Sequence, residues 1–167
     1  MKVKKGEAGI LKAEEEGVKV YDLTTRRMLI NESKKNKLKR SRILLHSVND
    51  SSVHEMLVCI RRESRMMPHM HMHKHESYNL IEGKAILYIY KAMNSKLQQK
   101  IVLDANNCTK RFLRIEKEVY HLMVPITEFI IMQEVTMGPF RKNENIEMDV
   151  KYMEKHYGTL DEFNHLA

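Results

Sequence analysis

Short apolar segments rich in β-branched residues dominate the chain from Arg42 to Phe140. They lie about ten to fifteen residues apart, and the breaks between them contain Asn, Asp, Ser, Gly and Lys. Many short strands with frequent turns are typical of an antiparallel sandwich or barrel. Because no long helical pattern separates the segments, a parallel α/β sheet is disfavoured. The sequence therefore predicts a mainly β fold. The segments are RILLH, VHEMLVCIRR, YNLIEGKAILYIY, KIVLDA, RFLRI, VYHLMV and EFIIMQEV.

Two flanking regions differ from this pattern. Residues 22–38 combine a few apolar positions with strong helix formers, which predicts a short helix. The tail after Pro139 returns to helical spacing, at Met148, Tyr152, Met153 and His156. We expect a basic N-terminal segment with the short helix at 1–41, a barrel at 42–140, and a C-terminal helical extension at 141–167.

The positive charge is concentrated at the start of the chain. Residues 1–42 hold thirteen Lys or Arg and six Asp or Glu, a difference that equals the whole net charge of +7. Such an arm could contact nucleic acid or another anionic surface. No aromatic residues interleave with NESKKNKLKRSR to stack on bases, so we favour a solvated face over a nucleic-acid partner.

The N-terminal residues and the apolar segments also indicate the cellular location of the protein. No run of about 7–15 apolar residues follows the basic start, as a secretory signal would require. No segment reaches the roughly 18 apolar residues of a membrane span. The sequence thus predicts a cytoplasmic protein, in which Cys59 and Cys108 stay reduced and are buried as small apolar residues.

The histidine-rich stretch PHMHMHKHES is the most unusual part of the chain. On an extended strand, residues two apart share a face, so His69 and His71 project together. Two imidazoles on one face can bind a single metal ion. Strand geometry alone would also place His73 and His75 on that face, and it does not say which pair binds.

The spacing of this stretch resembles the first motif of the cupins. The motif is HxH at His69 and His71, then four intervening residues before Glu76, then six intervening residues before Gly83. A turn must follow His71 if Glu76 is to share the ion, because an odd step on an unbroken strand changes face. We expect Gly83 to form a tight hairpin to the next strand.

A further histidine, His121, lies on an apolar segment about fifty residues later. The second cupin motif has Pro and Gly ahead of this His, and here Glu116 and Glu118 replace them. A lone His on an apolar strand is more often a packed core residue, and the histidine stretch by itself could be a metal-scavenging segment. The spacing of both motifs together favours one shared site.

Beyond these motifs, residues from about Arg42 to Phe140 resemble the WbuC family of cupin-fold metalloproteins. The resemblance includes RILLHS, DSSVHEML, PHxHxxKHES, LIEGKAILYIY and the closing QEVTMGPF. It implies a jelly-roll barrel that holds one metal ion through His69, His71, Glu76 and His121. Family members occur beside genes for O-antigen and other surface-polysaccharide synthesis.

A site with three imidazoles and one carboxylate suits Fe, Mn, Ni or Zn as a divalent ion. Together with the gene context that the WbuC resemblance implies, it indicates a metal-dependent isomerase or epimerase that acts on a sugar or sugar nucleotide. An Fe(II)-dependent dioxygenase and a non-catalytic metal-dependent binding module are the alternatives. Candidate substrate contacts are Arg42, His46, Tyr78 and Glu134, and no catalytic base is assigned. Because exposed barrel edges invite pairing, we expect a homodimer.

Overall fold

The fold is described from a computed structural model, which covers residues 1–5, 9–14, 17–91, 97–107, 110–141 and 145–149. Twelve strands and one helix are found in these residues. In chain order they are β1 (Val3–Lys5), β2 (Ile10–Ala13), α1 (Leu23–Lys35), β3 (Arg40–Leu44), β4 (Val53–Arg61), β5 (His69–His71), β6 (Glu76–Glu82), β7 (Lys84–Tyr90), β8 (Leu97–Asp104), β9 (Phe112–Ile115), β10 (Tyr120–Pro125), β11 (Phe129–Met137) and β12 (Asn145–Glu147).

The strands form two sheets. The larger has seven strands in the order β1-β2-β3-β4-β11-β6-β9, and the smaller has five in the order β12-β5-β10-β7-β8. The longest pairing joins β4 and β11, which run antiparallel in register from Val53↔Met137 to Arg61↔Phe129. This pair forms the centre of the larger sheet.

One apolar core lies between the two sheets. The larger sheet contributes residues such as Val58, Leu80 and Ile130, and the smaller sheet contributes Leu87 and Leu103. Each of these side chains is at most 3% exposed. Because strand side chains alternate between faces, each sheet buries one row of apolar residues against the other.

The helix α1 confirms the short helix predicted near the N-terminus. It connects β2 to β3, which pair in parallel, and a parallel pair requires such a crossover. Asp22 caps the helix by accepting a hydrogen bond of 2.7 Å from the Thr25 amide. Hydrogen bonds from Thr25 hold the pKa of Asp22 at about 2, so the cap carries its charge near neutrality. The strands β1 and β2 were not predicted.

The helix covers the outer face of the larger sheet. Leu29 is fully buried there against Ile43, Leu57, Cys59 and Ile131. The inner face of the same strands packs on the smaller sheet, so β4 is buried on both sides for most of its length. This explains why its sequence reads as a continuous apolar run.

The turn at Gly83 differs from the predicted hairpin. The residue adopts a left-handed φ of 86°, and an added Cβ would lie 2.5 Å from the Phe129 carbonyl oxygen, so glycine is required. However, β6 belongs to the larger sheet and β7 to the smaller one. The chain therefore crosses between sheets at Gly83, and the expected strand pairing across this turn was wrong.

Glu118 adopts a left-handed φ of 64° in the turn before β10. This is the position at which the second cupin motif has Gly. The amide of Glu118 donates a hydrogen bond of 2.8 Å to the His71 carbonyl oxygen. The turn keeps a glycine-like conformation with a non-glycine residue, which costs free energy because the Cβ atom crowds the backbone.

The described part of the predicted C-terminal extension contributes a strand. Asn145–Glu147 form β12, which pairs antiparallel with β5 and so lengthens the smaller sheet. The rest of the predicted helical extension, residues 150–167, lies outside the described residues, as does Cys108. None of the helical residues that the structure describes forms a segment long and apolar enough to cross a membrane.

Burial of α1 predicts unequal effects of two leucine substitutions on the same helix. Leu29 is 0% exposed and Leu23 is 70% exposed. We expect Leu29→Ala to lower the free energy of unfolding by about 2–5 kcal/mol, because it leaves a cavity under the sheet. The control Leu23→Ala should change it by less than about 0.5 kcal/mol. Urea titration measures both, and equal losses would contradict this packing.

The left-handed turn predicts that Glu118→Gly stabilises the protein. We expect the free energy of unfolding to rise by up to about 1 kcal/mol, because the strain removed exceeds the entropy that glycine adds to the unfolded chain. Lys117→Gly is the neighbouring control, because Lys117 has no left-handed φ. It should not stabilise the protein, and a gain in Lys117→Gly equal to that in Glu118→Gly would argue against strain at Glu118.

Candidate metal centre

A cavity of about 280 Å³ opens between the two sheets. Inward side chains of β3, β4, β6 and β11 line one wall, and those of β5, β10 and β12 line the other. Part of the lining is apolar and flexible, because five methionines contribute to it: Met56, Met66, Met67, Met123 and Met132. The remainder of the lining is largely polar and charged.

Four candidate ligands meet in this cavity and form what we call the histidine–carboxylate cluster: His69, His71, Glu76 and His121. One ligand atom from each lies within 4.8 Å of the others. The pairing of β5 with β10 sets His69 directly opposite His121. Glu76 is the first residue of β6, in the other sheet.

Hydrogen bonds fix the orientation of two of the imidazoles. His69 Nδ1 lies 3.0 Å from the Met67 carbonyl oxygen, and His121 Nδ1 lies 2.9 Å from the Val119 carbonyl oxygen. A carbonyl oxygen only accepts, so Nδ1 carries the proton in both rings. Each Nε2 then has a free lone pair, which is the arrangement that metal-binding histidines use.

Unsatisfied buried atoms test whether these residues fit a metal ion. Among the described residues, both ring nitrogens of His71 and the Nε2 of His121 are buried without a hydrogen-bond partner. His71 Nε2 lies 3.0 Å from Glu76 Oε1, and His121 Nε2 lies 3.4 Å from Glu76 Oε2. Buried polar atoms without partners are costly, and a cation between them would satisfy each Nε2 and the carboxylate together. The cluster could therefore hold a metal ion.

The protonation states of the cluster also favour a cation. Burial and the neighbouring His121 lower the pKa of His69 to about 4, so this imidazole is neutral near pH 7. Burial alone would raise the pKa of Glu76, but His121 and His71 hold it well below its usual range. The neutral His69 imidazole and the ionised Glu76 carboxylate are in the forms that bind metal.

Two further polar side chains lie beside Glu76. The Tyr78 hydroxyl donates a hydrogen bond of 2.5 Å to Glu76 Oε2, and burial with the nearby Glu76 charge raises the pKa of Tyr78 well above its usual range. Glu134 is paired in register with Tyr78 on β11. Burial, with a contribution from the Glu76 charge, raises the pKa of Glu134 to about 7.

Of the four predicted substrate contacts, the structure brings three to the cavity: Arg42, Tyr78 and Glu134. His46 is absent from the described lining. Its ring stacks on His54 at a centroid distance of 3.9 Å, and its Nδ1 lies 3.2 Å from the Glu55 carbonyl oxygen. His54 is the histidine of this pair that lines the cavity.

Other cavity residues were not predicted from the sequence. Arg40 lies two residues before Arg42 on the same face of β3, and this alternation could have revealed it. Lys74 is 8% exposed in the turn between β5 and β6, where nothing in the sequence indicates burial. Asn145 and Glu147 reach the lining through β12, which was expected to be helical.

The two other histidines of the stretch lie elsewhere. His73 is exposed in the turn that was predicted after His71. His75 Nδ1 lies 2.5 Å from Glu116 Oε2. Neither belongs to the histidine–carboxylate cluster among the described residues.

Comparisons with known proteins agree with this architecture. Residues 22–103 match the model of a family described as a domain of unknown function, DUF6016. No curated protein matches the chain. Among solved structures, the capsular polysaccharide assembling protein CapF from Staphylococcus aureus superposes with a TM-score of 0.56 at 12% identity. That match covers 66% of this chain and only 30% of the CapF chain.

Two smaller proteins match over most of their length. Streptomyces Pac13 with uridine has a TM-score of 0.51 at 13% identity, covering 68% of this chain and 82% of that one. Pac13 is described as a β-barrel nucleoside dehydratase. Protein SO0799 from Shewanella oneidensis has a TM-score of 0.54 at 8% identity, covering 73% and 76%. The chain has the cupin-like, jelly-roll type of β-barrel that the sequence predicted.

Metal content of single variants tests the histidine–carboxylate cluster. We expect one equivalent of a divalent ion in the purified protein, lost in His71→Ala and in His121→Ala, because each removes an Nε2 ligand. His73→Ala is the matched control from the same stretch and should retain the ion. Elemental analysis gives the stoichiometry. Retention in His121→Ala together with loss in His71→Ala would mean that the stretch binds metal alone.

The raised pKa of Glu134 predicts how the stability of the metal-free protein depends on pH. The folded state binds this proton more tightly than the unfolded state, whose carboxyl titrates near 4.5. The resulting stabilisation is complete below pH 4.5 and is lost as the pH rises to about 7. Over this pH range, we expect the free energy of unfolding of the metal-free wild type to fall by at most on the order of 3 kcal/mol relative to that of Glu134→Gln. Urea unfolding at the two ends of the range measures it, and a constant difference would contradict the shift.

Proposed function

We propose that this protein is a metal-dependent cupin of the WbuC type that isomerises or epimerises a sugar or sugar nucleotide in surface-polysaccharide synthesis. The observation that carries the proposal is the histidine–carboxylate cluster inside a cavity that also holds the Glu134 carboxyl and the Arg42 guanidinium. The cluster and Glu134 line the same cavity, so one substrate with adjacent oxygens could contact both.

The bound ion would act as a Lewis acid, lowering the pKa of a sugar hydroxyl or polarising a carbonyl at the site. The protein's own residues have separate roles. Glu134 accepts the proton from the carbon beside the carbonyl, and its pKa of about 7 suits a base that works near neutrality. In an isomerisation it returns the proton to the neighbouring carbon.

Two residues position the reacting groups. Tyr78 holds Glu76 in place through its hydrogen bond, so the carboxylate keeps one orientation. Arg42 lines the same cavity and presents a planar fork of donors to an anionic part of the substrate.

The chemistry described for proteins of the same fold supports a sugar-bearing substrate. CapF is described as a capsular polysaccharide assembling protein, and a Pac13 structure contains uridine. Together with the WbuC resemblance, these proteins favour a sugar or sugar nucleotide over other metal-chelating molecules.

The same four ligands suit Fe(II), so an Fe(II)-dependent dioxygenase is the alternative enzyme. A dioxygenase would consume O₂ when loaded with Fe(II) and not when loaded with another metal. A binding module without turnover is the non-enzymatic alternative, supported by the basic N-terminal segment.

We also propose that the protein works in the cytoplasm as a homodimer. The edge strand β9 supports pairing of two copies, because it ends the larger sheet and exposes 67% of Phe112.

Deuterium exchange tests the isomerase proposal. The protein, loaded in turn with Fe, Mn, Ni or Zn, is incubated in D₂O with a panel of sugar nucleotides that includes keto sugars, and the products are analysed by mass spectrometry and NMR. We expect one deuterium at the carbon beside the carbonyl, with exchange at least about 100-fold slower in Glu134→Gln, because the base is absent.

Metal content and the melting temperature of each variant serve as internal controls. Glu134→Gln should keep its ion, and His73→Ala should exchange at the wild-type rate. The isomerase proposal fails if no sugar nucleotide exchanges deuterium or raises the melting temperature of the metal-loaded protein. O₂ consumption restricted to the Fe(II) form would support the dioxygenase.

A further inference from the structure

Two arginines share one wall of the cavity. Arg40 and Arg42 lie two residues apart on β3, so both side chains leave the strand on the cavity face, with Cα atoms roughly 7 Å apart. Their partners in register on β4 are Ile60 and Val58, which are apolar. The adjacent strand therefore offers neither guanidinium a carboxylate.

The charges of Arg40 and Arg42 lie close together in a partly buried setting. Among the described residues, neither arginine forms an ion pair, whereas other arginines of the chain do: Arg26 pairs with Glu82, and Arg61 pairs with Glu128. Burial and the charge of Arg42 lower the pKa of Arg40. Two half-buried like charges that face the same cavity repel one another, and an anion between them would remove that cost.

Other charged residues around the cavity add to or offset the positive charge of Arg40 and Arg42. Lys74 and Arg65 add positive charge to the lining. The Lys74 Nζ lies 4.0 Å from Glu76 Oε1, within reach of the histidine–carboxylate cluster. On the negative side, Glu147 on β12 and Glu134 on β11 attract Arg40, each with a smaller effect on its pKa than burial or the Arg42 charge. With Glu76 engaged by its imidazoles, the wall formed by β3 stays positive.

We propose that Arg40 and Arg42 form a phosphate-binding subsite, which holds a phosphoryl group of the substrate while its sugar oxygens reach the histidine–carboxylate cluster. As a statement about the substrate this rests on the proposed function, but the anion site itself requires no metal. The subsite would make the substrate a sugar phosphate or a nucleoside diphosphate sugar.

A phosphoryl group fits this wall better than a carboxylate does. One guanidinium fork satisfies both oxygens of a carboxylate, so a second arginine would stay unused. A phosphate monoester has three terminal oxygens that point in different directions and carries up to two negative charges. It can accept hydrogen bonds from both arginines and neutralise both.

Calorimetric titration of the metal-free full-length protein with glucose 1-phosphate tests the subsite, with glucose as the uncharged comparison. Low ionic strength keeps the electrostatic contribution visible. We expect glucose 1-phosphate to bind wild type and glucose not to bind. Affinity should fall at least about tenfold in Arg40→Gln and in Arg42→Gln, and by a smaller factor in Arg40→Lys, which keeps the charge without the fork.

The control is Arg27→Gln, which makes the same charge change at an exposed position of α1. Thermal unfolding supplies a second readout that a merely structural role would not reproduce. Without phosphate, Arg40→Gln should melt at or above the wild-type temperature, because the repulsion is relieved. Added phosphate should raise the melting temperature of wild type and of Arg27→Gln but not that of Arg40→Gln.

The outcomes separate the two proposals. Binding lost in Arg40→Gln and Arg42→Gln, without turnover of any sugar nucleotide, would leave the subsite standing and overturn the isomerase. Turnover that Arg40→Gln leaves unchanged would overturn the subsite alone. Failure of wild type to bind glucose 1-phosphate, or an equal loss in Arg27→Gln, would also overturn it.

Discussion

The burial of one carboxylate among three imidazoles is the constraint on which the rest of the cavity depends. Glu76 is 4% exposed, and an ionised carboxylate at that depth is very unfavourable unless hydrogen bonds or a cation compensate it. The compensation by the histidines comes from the opposite sheet, since Glu76 belongs to the larger sheet and the histidines to the smaller one. An ion held there would link the two sheets across the core, so it would also contribute to the stability of the fold.

Strand register fixes this arrangement. The pairing of His121 with His69 and of Thr136 with Glu76 sets which side chains face the cavity. A slip of one residue would turn every side chain of a strand to the opposite face. Burial of the apolar side chains of β10 and β11 disfavours such a slip, and it thereby keeps the cluster residues facing the cavity. The left-handed turn at Glu118, whose amide donates a hydrogen bond to the His71 carbonyl oxygen, leads into the start of β10. The strained turn therefore lies next to both His71 and the strand that carries His121.

Alternation along the strands was sufficient to predict the β-barrel, and the cupin motif spacing together with the WbuC resemblance named the four residues that the structure brings together. Features that depend on how distant strands meet were missed. The crossing at Gly83 was expected to be a hairpin, since the sequence shows the turn but not which sheet receives the next strand. The burial of Lys74 and the position of His46 behind His54 depend on packing between elements, which periodicity does not report. Very short strands such as β1 and β12 contain too few residues to show a period.

Arginines that are buried or half-buried have two kinds of surroundings in this protein, one at the end of β4 and one in the cavity. Arg61 is 6% exposed at the end of β4, with Nη2 2.9 Å from Glu128 Oε1 and 3.4 Å from Glu63 Oε1. This is how a protein stabilises an arginine whose role is packing, because an unpaired buried charge would be destabilising. On β3, Arg40 and Arg42 face the cavity at two successive inward positions, and neither forms an ion pair with a residue that the structure describes. Unpaired charges of this kind are expected where a ligand supplies the missing interaction. Arg40 and Arg42 lie in the same cavity as the only cluster of candidate metal ligands among the described residues.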